Sequence, residues 1–309
     1  MTMSTETIIR FPSGWTDSSA FEVALAAPPL AAHANACHVV RVQVPRGCFL
    51  MVDAATKLLS CANQLHDMTK RVTLEFEDGE AGTMGYLNRV GFFDYLNQAV
   101  VVLPSRPAVS AAKVYSGANS GLVEVRALRA SAMDKSLPGQ LADCLVNAAG
   151  ATGAKDEALG QVAFTIFSEL IQNVYRHSET RLDGYAALQY YRRGKKVTVT
   201  VSDSGAGLLQ TLRPSLKAHF PLLANKSDAD VLVEMVTSGV SRFGPDNGCG
   251  ISQCARNAVT RNAAMEIRMP TSRALFRPTA DKRYLGIAVF EEHLPLVWGT
   301  HVSLDFKLD

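Results

Sequence analysis

The chain has 309 residues, 47% of them hydrophobic and 19% charged. That balance excludes intrinsic disorder, coiled coil and collagen-like repeats, and the length suggests about two domains. Thirty-one basic residues against 29 acidic ones leave a net charge of +2, which gives no electrostatic footprint for nucleic acid or an acidic membrane surface.

The N-terminal segment, residues 1–37, has no apolar core of signal-peptide length. Its most apolar stretch, 21–36, is broken by Glu22, Pro28, Pro29 and His33, too polar for a membrane span. From residue 38 strand and helix signals alternate. HVVRVQVP carries β-branched residues at period two and predicts a strand. Residues 49–70 predict a helix, with Leu50, Ala54, Leu58, Ala62 and Leu65 near one face. RVTLEFED predicts a second strand, MGYLNRVGFFDYL a short helix and AVVVLP a third strand, so 38–103 is expected to be a small βαβαβ domain. Residues 104–122, with Pro104, Pro107, Gly117 and Gly121, are the expected linker.

The second block, 123–309, starts with a strand at VEVRAL. Helices are predicted over 137–149 and 157–177, and a hairpin over AALQYYRRGKKVTVTVSD, turning at Arg193-Gly194-Lys195. Residues 208–247 mix Pro, Gly and charge, as a mobile lid would. A helix is predicted over 251–264, with strands near 284–291 and 300–308. Six cysteines at 37, 48, 61, 144, 249 and 254 form no CxxC, which predicts reduced thiols in a cytoplasmic protein.

Four short patterns carry chemistry. In FTIFSELIQNVYRHSE, Phe164, Phe167, Leu170, Ile171 and Val174 form an apolar stripe. Glu169, Asn173 and His177 stand at i, i+4 and i+8, one turn above another. In VTVTVSDSGAGL an alternating strand ends at Asp203, and Gly205 and Gly207 allow close backbone approach to a ligand. In SRFGPDNGCGISQCARNAV, Gly244, Gly248 and Gly250 precede a helix whose free amides suit an anion. WGTHVSLDFKLD opens a terminal strand at Gly299-Thr300. Neither GxxxxGK[ST] nor GxGxxG is present. Each pattern alone also fits a bland reading, a solvated helix face or a plain turn.

Taken in order, the four resemble the GHKL ATP-binding family of gyrases, heat-shock chaperones, histidine kinases and mismatch-repair ATPases. ELIQNVYRH is similar to the family's N box, DSGAG to its first glycine box, NGCGIS to its second, and the Gly299-Thr300 strand to its last element. The form NVYRHSE is most similar to the anti-sigma-factor kinase branch. The resemblance covers about residues 135–309 and implies a Bergerat-type two-layer α/β sandwich, so the expected fold class is α/β (α+β). It departs from the family at Ile251, at Cys249 between the glycines and in the length of the lid.

The resemblance implies ATP and Mg²⁺ as cofactors. Asp203 would accept from the adenine amino group, with Thr300 beside it, and Gly205 and Gly207 would shape that pocket. Asn173 would hold Mg²⁺, Glu169 would orient or deprotonate the attacking water or hydroxyl, and Gly248 and Gly250 would donate amides to phosphate. Arg242 is a candidate charge for the γ-phosphate. His177 is equally a packing residue.

The first block resembles a STAS-like domain, the module that partners anti-sigma kinases. Where such antagonists carry a phosphorylatable serine, this chain reads Asp78-Gly79-Glu80-Ala81-Gly82-Thr83. A docking surface is therefore expected rather than phosphoryl transfer to Thr83. Leu65-His66-Asp67 looks like part of a phosphoacceptor box, but a strand follows too soon for the helical hairpin such a box needs. The expected function is an ATP- and Mg²⁺-binding regulatory protein with slow hydrolysis or serine/threonine kinase activity. The alternative is a non-catalytic, ATP-gated interaction switch. The expected partners are a protein docking on the STAS-like domain or the lid and a second copy of the chain, with no membrane; the neutral charge disfavours nucleic acid.

Overall fold

The computed structural model describes residues 5–153, 157–177, 180–240 and 250–308. The first half runs β1 (Glu6–Arg10), β2 (Gly14–Thr16), α1 (Ser18–Ala26), β3 (Val39–Val44), β4 (Cys48–Leu50), α2 (Val52–Asp67), β5 (Arg71–Phe76), α3 (Thr83–Arg89), α4 (Phe92–Tyr95), β6 (Val101–Leu103) and α5 (Ala111–Val114). Strands β1, β3, β5 and β6 form a parallel sheet in that order. A strand order that never reverses, with right-handed crossovers, places every connecting helix on the same face. The strands accordingly alternate buried and exposed residues, and the open face carries a ladder in which Arg41 pairs with Glu6 and Glu75. Because β1 belongs to this sheet, the expected boundary at residue 37 falls inside it.

The second half runs β7 (Leu122–Leu128), α6 (Leu137–Ala151), α7 (Leu159–His177), β8 (Gly184–Tyr191), β9 (Lys196–Ser202), α8 (Leu208–His219), α9 (Asp228–Thr237), α10 (Gly250–Thr260), β10 (Ala263–Met269), β11 (Ser272–Phe276), β12 (Val289–Glu291) and β13 (His301–Lys307). Its seven strands form an antiparallel sheet, ordered β12-β11-β10-β13-β9-β8-β7. The protein is thus of the mixed α+β class. The hairpin turns at 192–194, one residue ahead of the expected 193–195; β10 and β11 are strands that were not expected. No helix among the described residues is long and apolar enough to cross a membrane.

Helix α2 ties the two sheets together. Fourteen of its sixteen residues are buried, because it lies between the parallel sheet and the face of the antiparallel sheet opposite α6, α7 and α10. Val197, Val199 and Val201 of β9 pack into the core under those three helices. The intervening Thr200 and Ser202 meet Thr56 and Ser60 of α2, hydroxyl to hydroxyl, at 3.2 and 3.5 Å.

A buried ion network closes the same junction. Lys57 lies 2.8 Å from Glu266 and 3.4 Å from Glu22. Arg268, with 0% exposure, grips both oxygens of Glu22 at 3.1 and 3.0 Å, and Arg273 joins Glu266 to Glu291. Such a network is poor in net stabilisation but strongly penalises loss of one member.

Three expectations fail here. The 104–122 stretch is fastened rather than free: Arg106 donates to the carbonyls of Phe93, Leu96, Asn97 and Val100, and Arg89 reaches Tyr115 and Glu124. The described part of the expected lid, 208–240, holds two helices whose Leu209, Leu212, Leu216, Val231, Leu232, Met235 and Val236 are core residues. Their i, i+3, i+4 spacing outweighs the scattered charge and Pro214. Phe164, assigned to the core stripe of α7, is 48% exposed; Ala163 and Ile166 occupy that face instead.

Candidate functional site

The residues singled out from sequence gather in two clusters on the helical side of the antiparallel sheet. The first lies at the ends of the neighbouring strands β9 and β13. Asp203 directly follows β9, and its backbone N–H donates to the Thr300 carbonyl at 2.9 Å. Its carboxylate accepts from the N–H of Gly205 at 2.7 Å and of Thr300 at 3.3 Å. The Thr300 hydroxyl accepts from the N–H of Leu208, the first residue of α8, at 3.0 Å. Burial pushes the Asp203 carboxyl up to about 6, and the Gly205 and Thr300 bonds pull against that rise.

The glycines here answer a steric need. Gly207 has φ +92° and a Cβ on it would press on Pro270; Gly299 has φ +89° and a Cβ there would overlap the Asp203 carbonyl. Only glycine combines a left-handed backbone with contact that close.

The second cluster lies where α7 meets α10. Glu169 and Asn173, one turn apart on α7, both face the first residue of α10. A Cβ built on Gly250 would stand 3.2 Å from Glu169 Oε2 and 3.4 Å from Asn173 Oδ1. The absence of a side chain at Gly250 is what leaves room for both. The Asn173 amide nitrogen is buried without a hydrogen-bond partner among the described residues, as is the Ser252 hydroxyl in the first turn of α10. Orphaned buried donors are rare, because each costs about 1–3 kcal/mol.

Gly184 joins the clusters. A Cβ on it would collide with both Val174 of α7 and the Ser202 carbonyl of β9. The C-terminal half of α7 can therefore sit close against the strand end that carries Asp203. Arg242, Gly244, Gly248 and Cys249 lie outside the described residues, as does the side chain of His177. Thr83 is buried and its hydroxyl donates to the Cys48 carbonyl.

Gln64 of α2 is a contributor that sequence reasoning missed. It is fully buried and approaches the first cluster from behind the sheet. Its amide nitrogen donates to the Ser204 hydroxyl at 2.9 Å and the Trp298 carbonyl at 3.1 Å, and its oxygen accepts from the Trp298 N–H at 2.9 Å. One side chain thus clamps the two loops that present Asp203 and Thr300. Nothing local to a Gln inside a helix signals such a role.

The chain matches no family model and no curated protein.

Proposed function

We propose that the chain binds ATP together with Mg²⁺ on the helical side of the antiparallel sheet and works as a regulatory ATPase or protein serine/threonine kinase of the GHKL type. The observation that carries this reading is the convergence of Glu169 and Asn173 on Gly250, at the start of a helix, with a buried Asn173 amide left unsatisfied among the described residues. An acceptor oxygen and an orphaned donor side by side suit a ligand that offers both a cation and phosphate oxygens. Asn173 Oδ1 would hold Mg²⁺, whose remaining positions phosphate and water fill. When bound, the ion neutralises phosphate charge. Glu169, one turn away, would accept a proton from the attacking water or hydroxyl. The free amides at the start of α10 would face the phosphates.

The Asp203 cluster supports the base end of the same reading. A carboxylate fixed by two backbone N–H groups retains acceptor capacity for the adenine amino group; guanine would present a carbonyl there and leave it unpaired. The alternative, an ATP-gated switch without turnover, draws support from Gln64, which ties the base-binding loops to α2 and so to the N-terminal layer. That layer, or the 208–247 segment, would be the docking surface for a protein partner, and a second copy is a further candidate. The five described cysteines are free thiols, which suits the cytoplasm.

Calorimetry with ATP and Mg²⁺, paired with a turnover assay, tests the reading. Asn173→Ala should abolish the Mg²⁺-dependent part of binding. Glu169→Gln should bind normally and turn over about 10²–10⁴-fold more slowly. No ATP binding by the wild-type chain would end both versions, and binding without turnover would leave the switch.

A further inference from the structure

A cavity of about 440 Å³ opens between the antiparallel sheet and the first residues of α1 and α2, on the side of that sheet that α2 covers. This is the face opposite the candidate nucleotide site, and the volume falls within the roughly 300–1,000 Å³ typical of small-molecule sites. Its lining comes from both layers: Ser18 and Asp53 from α1 and α2, and Glu266, Ser303 and Asp305 from β10 and β13. Most of those carboxylates already have partners. Glu266 is met by Lys57 and Arg273, and Asp305 by Lys196 at 3.0 Å and the Thr198 hydroxyl at 2.6 Å.

Asp53 is different. It is 7% exposed, and its Oδ2 accepts the Ser18 N–H at 2.9 Å, while its Oδ1 is buried with no partner among the described residues. No cation among the described residues forms an ion pair with it; Lys57 is turned to Glu22, Glu266 and Ser18. The Ser303 hydroxyl, equally buried at 7%, also lacks a partner among the described residues. Burial first, then the neighbouring Asp305 charge, pushes the Asp53 carboxyl up to about 6, as expected of a carboxylate short of a counter-charge. The rim has the opposite character. Arg277 and Lys307 line the opening, are exposed and form no ion pair among the described residues.

A floor that lacks a cation and a rim that lacks an anion call for one molecule carrying both. We propose that this cavity binds a small zwitterion of the amino-acid class, its ammonium group paired with the Asp53 carboxylate beside Ser303 and its carboxylate meeting Arg277 and Lys307. A bare diamine would leave the rim cations unmet and place its second charge beside them. A dicarboxylate would bring a negative charge against Asp53 and Asp305. Because Asp53 belongs to α2 and Ser303, Arg277 and Lys307 to the antiparallel-sheet half, the bound molecule would brace α2 against that sheet. This site stands apart from the nucleotide reading and does not depend on it.

The test is calorimetry and thermal unfolding of the full chain with β-alanine, 4-aminobutyrate and 6-aminohexanoate as probes of increasing length, and with putrescine and glutarate as single-charge-type controls. One of the amino acids should bind and raise the melting temperature, with the best chain length reporting the floor-to-rim span. Asp53→Asn keeps an oxygen for the Ser18 N–H and should weaken that binding about tenfold or more, a loss of roughly 1.4 kcal/mol. Arg277→Gln and Lys307→Gln change exposed side chains that form no ion pair among the described residues, and each should weaken the amino acid without altering the melting temperature of the free protein. The proposal is overturned if no amino acid probe binds at up to about 10 mM. It is equally overturned if putrescine or glutarate binds as tightly as the best amino acid, or if binding is unchanged in Asp53→Asn and in both rim variants.

Discussion

Replacing Gln64 by Met isolates the clamp that α2 exerts on the Asp203 and Thr300 loops. Methionine keeps the length and most of the volume of the side chain, so no cavity term enters, but it removes all three hydrogen bonds. The Trp298 carbonyl keeps a contact with His301 Nε2 at 3.2 Å, whereas the Trp298 N–H loses its partner. One orphaned backbone donor at about 1–3 kcal/mol, plus two lost bonds at about 0.5–1.5 kcal/mol each, gives about 2–6 kcal/mol. Urea denaturation followed by far-UV circular dichroism measures this as a lower midpoint at constant slope. Hydrogen exchange should also accelerate at the amides of Gly205, Leu208 and Thr300, which the two loops hold in place. A loss under about 0.5 kcal/mol, the size of an ordinary surface substitution, together with unchanged exchange at those amides, would refute the clamp.

Lys57→Met should cost about 3 kcal/mol in the same denaturation experiment, below the top of the range for breaking a buried pair, because Glu22 keeps Arg268 and Glu266 keeps Arg273. His33 is held by burial at about 4, against 6.5 for the free side chain. The unfolded chain therefore takes up the proton first, so His33 contributes fully above pH 6.5 and loses about 3 kcal/mol as pH falls to 4. A stability profile of His33→Phe, whose ring would still pack near Trp298, should be flatter over that window. If Asp203 accepts from adenine, ATP affinity should fall as pH drops below about 6, where the carboxyl becomes protonated. Calorimetry across pH 5–8 should show that dependence in the wild type and not in Asp203→Asn, which should also bind more weakly by about 1–3 kcal/mol.

The sequence by itself determined the local elements. Period-two runs at 39–44, 71–76 and 196–202 are strands, and the turn at 192–194 closes a hairpin, because alternation and turn chemistry act over a few residues. Glu169 and Asn173 had to share a helix face for the same reason. Strand β10 went unread although Met265, Ile267 and Met269 alternate with Glu266 and Arg268 at period two, because the preceding helix was expected to run on to 264; β11, SRALF, is only five residues long. Those charges are buried only because α1 and α2 bring Glu22 and Lys57 to meet them.

Only the tertiary structure decided which polar faces see water. VTVTVS in β9 and the Thr56, Ser60, Gln64 stripe of α2 each read as a solvated face, since a polar stripe costs nothing in water. Brought together they satisfy each other instead, and both vanish into the junction between the sheets. Hydrogen-bonding groups carry no mark of whether water or another side chain will complete them. The pairing is fixed by partners 140 or more residues away, and that distance in sequence is why Gln64, Asp53 and Ser303 acquire their significance only in the folded chain.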